Sequence, residues 1–64
     1  MSQRPVIVLV EADAERRDLL ALVLEHEGDF QVEAVGAAAA GLDAARRHRT
    51  DLIIADFELL AAGD

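Results

Sequence analysis

Two uninterrupted apolar runs, each closed by a carboxylate, constrain this chain most. Val6-Ile7-Val8-Leu9-Val10 runs into Glu11, and Leu52-Ile53-Ile54-Ala55 runs into Asp56. A strand reads as continuously apolar when both faces of its sheet are covered, and that is the condition of parallel sheets. In open α/β sheets, ligands lie outside the carboxyl ends of the strands. Glu11 and Asp56 are therefore set where chemistry takes place in such a fold. Two acids delivered to one end make the beginning of a cation-binding pocket.

The stretches between the runs supply helices and one further strand. Residues 5–10 read as the first strand, preceded by Pro5. Asp13 stands where a helix N-cap is wanted. From Ala14 to Glu27, Leu19, Leu20, Leu22, Val23 and Leu24 recur at i, i+3 and i+4, which predicts one buried helical face. Glu15, Arg16, Arg17, Asp18 and Glu25 are expected mostly on the opposite face. Gly28 is the expected C-cap, with Gly28-Asp29 as a turn. Phe30 to Val35 alternates, as a half-exposed edge strand does. Ala38 to Arg47 predicts a second helix with Leu42 and Ala45 on its apolar side. Gly41 within it costs about 1 kcal/mol against alanine, and close packing on the sheet would explain its presence. Arg46, Arg47, His48 and Arg49 fall near the helix C-terminus, where the dipole favours cations. Asp51 reads as a turn residue, His26 and His48 as surface residues, and Phe57 to Asp64 as a loop or the start of one. The order is βαβαβ, half of a doubly wound α/β sheet.

Composition removes several functions. The 64 residues allow one small domain, read as spanning 1–64. Acids number 13 against 6 basic residues, all arginine, for a net charge of −7. Nucleic-acid backbones and anionic membrane surfaces both need a basic face, so neither is an expected partner. Cysteine is absent, which excludes disulfides and thiolate metal sites. No apolar run of 18 residues and no signal-peptide pattern occur, so a soluble cytoplasmic protein is the expectation. Phe30 and Phe57 are the only aromatics, too few for a base-stacking platform.

With acids and element order in place, the chain resembles the first half of a response-regulator receiver domain. That family opens on a strand ending in an acidic cluster, matched by Val8-Leu9-Val10-Glu11-Ala12-Asp13. Its first helix commonly carries Arg-acid-Leu-Leu, matched by Arg17-Asp18-Leu19-Leu20. Its third strand reads Pro-Asp-Leu-aliphatic-aliphatic-x-Asp, against Thr50-Asp51-Leu52-Ile53-Ile54-Ala55-Asp56 here. The resemblance implies a flavodoxin-like receiver fold, with three parallel strands in the order 2-1-3. Asp56 resembles the phospho-acceptor, and Glu11 the first of the acids that hold Mg²⁺ together with Asp56. A histidine kinase or phosphotransfer protein is the implied donor in a bacterial two-component system. An acyl phosphate on aspartate and a hard cation on oxygen ligands are sound chemistry for phosphoryl transfer.

The chain departs from the pattern in four places. Ala12 stands where the second acid is usual, and Asp13 comes one residue late. No proline follows in Phe57-Glu58-Leu59-Leu60-Ala61, and Glu58 lies near the position whose carbonyl binds metal in the family. The sequence ends before the family's switch Ser/Thr and phosphate-binding Lys, and it contains no lysine. Asp13 and Glu58 are secondary metal candidates. A pseudo-receiver that acts only as a protein–protein interaction module is the first alternative. An unrelated flavodoxin-like ligand-binding fragment is the second. It is disfavoured because no Gly-rich phosphate loop follows the first strand. Turnover on external substrates is not expected, since His and Ser are not clustered near the acids. Strand 52–55 would form an apolar edge, and such an edge templates a homodimer.

Overall fold

In the computed structural model, residues 4–47 and 49–55 are described. Five elements follow one another: β1 (Val6–Val10), α1 (Ala14–Glu27), β2 (Gln31–Val35), α2 (Ala38–Arg47) and β3 (Leu52–Ala55). The strands form one parallel sheet in the order β2-β1-β3. This is the α/β fold and strand order expected from the sequence.

β1 holds the centre. Ile7, Val8, Leu9 and Val10 are all buried, and with Ala44 they make up the apolar core of the described residues. Burial on both faces is why this strand carries no polar alternation. Val8 and Val10 cluster with Ala44 of α2, joined by the half-buried Val35, Ala45 and Ala55. Side chains alternate along a strand, so Ile7 and Leu9 face the other way. A right-handed β1–α1–β2 crossover puts α1 on that second face.

Gly41 explains how α2 comes so close to the sheet. A Cβ on Gly41 would collide with Cγ2 of Val10 and would also touch Val35. Two β-branched valines fill the space that a side chain on α2 would otherwise take. The inward residues of α2 are thus Gly41 and Ala44, three positions apart. Leu42, expected on the apolar side, is 52% exposed. One residue along a helix is a rotation of about 100°, enough to turn it away from the sheet.

α1 corrects the expectation of a buried leucine face. None of its residues is buried, and Leu19 and Leu22 are 60% and 53% exposed. The half-buried positions are Arg17, Ala21 and Leu24, at i, i+4 and i+7. Five of the six residues 19–24 are leucine or valine, so helical spacing is satisfied on more than one side and does not choose between them. Arg17, expected on the polar face, lies on the inner side. α1 packs chiefly on β2. Leu52 and Ile54 share the sheet face of their register partners Ile7 and Leu9, and both are exposed there.

The helix ends follow local chemistry. Asp13 is extended at φ −79°, ψ 120°, and its Oδ1 accepts from the Arg16 N–H at 3.0 Å. Gly28 caps the other end, donating to the Leu24 carbonyl at 3.2 Å. The left-handed residue of the turn is not this glycine but Asp29, at φ 56°. Asp and Asn tolerate that region better than most side chains. β2 begins at Gln31 and is an edge, as expected, yet its alternation is imperfect: Glu33 is half-buried and Ala34 exposed. No described helix is long and apolar enough to cross a membrane.

Candidate functional site at the carboxyl rim of the sheet

The register of the sheet decides what meets at its carboxyl end. Val10 pairs with Val35 on one side and with Ala55 on the other. Glu11 follows Val10 and Asp56 follows Ala55 in the sequence. Asp56 itself, with Glu58, His48 and the 57–64 tail, lies outside the described residues. The rim is therefore built here from its β1 and α1 side.

Glu11 continues the β1 ladder, its N–H donating to the Val35 carbonyl at 3.0 Å. It is the buried charged residue of the described set, at 7% exposure. A buried carboxylate needs partners, and Glu11 has them. Its Oε2 accepts from the Asp13 N–H at 3.1 Å. The Arg16 guanidinium stands 3.8 Å from the same oxygen. Arg17 reaches in from the next helix position, and its Nη1 donates to the Glu11 carbonyl oxygen at 3.0 Å. The same Nη1 would lie 2.8 Å from a Cβ on Gly36, at the end of β2. One carboxylate, two guanidiniums and the first turn of α1 thus form a closed set of local contacts.

Asp13, one residue late for the family's acid pair, has its carboxylate engaged elsewhere. The Arg16 N–H hydrogen bond holds its carboxyl below the usual aspartate range, helped by the Glu15 N–H and the nearby guanidiniums, against a smaller opposing effect of desolvation. It is a cap, and Ala12 between it and Glu11 carries no oxygen on its side chain. Among the described residues, no group of three or more His, Cys, Asp or Glu side chains is placed to hold a metal ion. Among the described residues the rim offers one carboxylate, that of Glu11, with a guanidinium beside it; Asp56 and Glu58, the other acids expected to hold magnesium there, lie outside the described residues.

Two residues acquire roles that spacing alone did not announce. Arg17 is one, through the Glu11 carbonyl. Asp51 is the other. It sits at a bend just ahead of β3, as expected, and also binds the start of β1 through both its backbone and its carboxylate. A signal for Asp51 did exist, an acid just ahead of an apolar run, but its partner lies 45 positions away.

No protein-family model matches the chain, and no curated protein or solved structure matches it.

Proposed function

We propose that this chain is a receiver-type module of a phosphorelay in which Asp56 accepts a phosphoryl group from a histidine kinase or phosphotransfer protein. The carboxylate oxygen attacks phosphorus. An O–P bond forms, the P–N bond of the donor phosphohistidine breaks, and the imidazole leaves with the electron pair and takes up a proton. The product is an acyl phosphate. The supporting observation is the pairing of Val10 with Ala55 in the β2-β1-β3 order. It makes Glu11 and Asp56 the next residues after two adjacent strand ends, where open α/β sheets bind ligands. A cytoplasmic location goes with this reading.

Acetyl phosphate, with and without Mg²⁺, tests it by intact mass. A gain of one phosphoryl group, lost in Asp56→Ala, supports the relay. No gain under either condition rejects it.

A second reading is favoured by one contact. The Glu11 carboxylate is engaged by the Asp13 N–H and Arg16, as suits a pseudo-receiver that serves as a protein–protein interaction module. In either reading, a second copy of the chain is a partner. β3 pairs with β1 alone among the described residues, and Leu52 and Ile53 are about half exposed. An apolar edge with free backbone groups continues its ladder with another chain.

A further inference from the structure

We infer that Arg17 is a positioning residue of the carboxyl rim: it fixes the Glu11 peptide, and so the direction of the Glu11 side chain, from a berth that Gly36 keeps open. The inference rests on the proposed function for the use of the rim, and concerns which residue sets its geometry.

Both peptide groups that flank the Glu11 α-carbon are held. The Glu11 N–H donates to the Val35 carbonyl at 3.0 Å, and the Glu11 carbonyl accepts from Arg17 Nη1 at 3.0 Å. With both sides pinned, the Cα–Cβ bond has one direction. It delivers the buried carboxylate to the Asp13 N–H, which donates to it at 3.1 Å. Arg17 itself is half-buried on the inner side of α1. Its guanidinium stays charged at every ordinary pH, so this hold on the carbonyl does not titrate. A charged donor also makes one of the stronger hydrogen bonds available to a backbone oxygen. Gly36 supplies an independent observation. Its φ does not lie in the left-handed region, so the backbone there has no need of glycine. What a Cβ on Gly36 would meet is Arg17, with Nη1 at 2.8 Å and Cζ at 3.7 Å, and beyond them the Glu11 carbonyl oxygen at 4.0 Å. The guanidinium uses the room that a side chain at 36 would take. The ends of β1 and β2 and the first turns of α1 are joined at this one group.

Gly36→Ala tests this with Arg17 still in the chain. The new methyl is too close to Nη1 but at ordinary contact distance from the Glu11 oxygen, so the long side chain yields and the backbone stays. Arg17→Met removes the donor and keeps an aliphatic stem in its place. In both variants the Glu11 carbonyl ¹³C resonance should move upfield, as a carbonyl does on losing a hydrogen bond. The Asp13 amide should exchange faster, because its acceptor is no longer directed. The double variant should match Arg17→Met alone, since the methyl acts only by displacing Arg17. Initial labelling by acetyl phosphate should fall by about tenfold or more in each variant, as misplacing a group near the chemistry does. Asp51→Ala, which weakens the opposite end of β1, should change neither the resonances nor the labelling, so a general loss of stability is told apart. An unmoved Glu11 carbonyl in both single variants overturns the inference. So do labelling rates equal to that of the unaltered protein, or the same changes in Asp51→Ala. If the unaltered protein takes up no phosphoryl group, the proposed function fails, and the Glu11 and Asp13 resonances alone decide this inference.

Discussion

Asp51 and Val6 bind each other twice: the Val6 N–H donates to Asp51 Oδ2 at 2.8 Å, and the Asp51 N–H donates to the Val6 carbonyl at 2.8 Å. On the far side, the Gln31 N–H donates to the Pro5 carbonyl at 2.9 Å. The amino end of β1 is thus tied from both flanks before the ladder begins. Arg49 stands 3.6 Å from the other Asp51 oxygen.

Asp51→Ala should therefore cost stability without touching the carboxyl rim. A hydrogen bond to a charged group is worth about 1.5–3 kcal/mol, and the partial exposure of this one brings the expected loss to about 1 kcal/mol. Urea denaturation measures it, with Asp51→Asn expected to recover part of the loss. An unchanged midpoint in Asp51→Ala would mean that the clamp contributes nothing.

Gly41→Ala reverses a general rule. In an ordinary helix interior the change stabilises by about 1 kcal/mol. Here the new methyl meets Val10, and overpacking of this kind costs about 1–3 kcal/mol. Thermal unfolding should show a net loss, and a Val10→Ala background should shrink the penalty by freeing the space. A gain in Gly41→Ala alone would show that α2 sits farther from the sheet.

Asp13 gives a pH dependence of known sign. Its carboxyl titrates lower in the folded chain than in the unfolded one. The cap therefore contributes in full above the ordinary aspartate value and is lost as pH falls through the folded value. Helicity followed by circular dichroism should drop in Asp13→Ala at neutral pH, and the acid limb of its stability profile should flatten. Asp13→Asn should keep most of the helix while losing the pH dependence.

Association through β3 should respond to a single charge. Ile53→Lys puts an ammonium on the exposed edge and should weaken self-association by about tenfold, read by light scattering across a dilution series. A stable monomer at the highest concentration of the unaltered chain would dispose of this interface.

The contrast between β1 and α1 shows what the sequence made legible. β1 is legible because Val6 to Val10 leaves no polar position, and complete burial is the one environment that suits it. The cap at Asp13 and the close approach at Gly41 are legible because each needs a particular residue type. The orientation of α1 is not. Leucines lie around most of its circumference, so the choice of face falls to Arg17, Ala21 and Leu24, which fit beside β2. Leu42 misleads for a related reason: the valines of the sheet are bulky enough that glycine and alanine, not leucine, make the contact. The Glu11 site was half legible. Its position follows from the strand, but its partners, Arg16 and Arg17, come from a helix face assigned to solvent. Asp56 and Glu58 lie outside the described residues.

Among the described strands β1 alone has two sheet neighbours, so the sheet they form depends on it. Excise β1 and the flanking strands, which do not pair with each other, are left as isolated βα fragments below the size at which sheets hold together in water. Amide exchange should accordingly slow most along Ile7 to Val10, and those protons should be released together, in a single opening of the whole chain, rather than by fraying from either terminus.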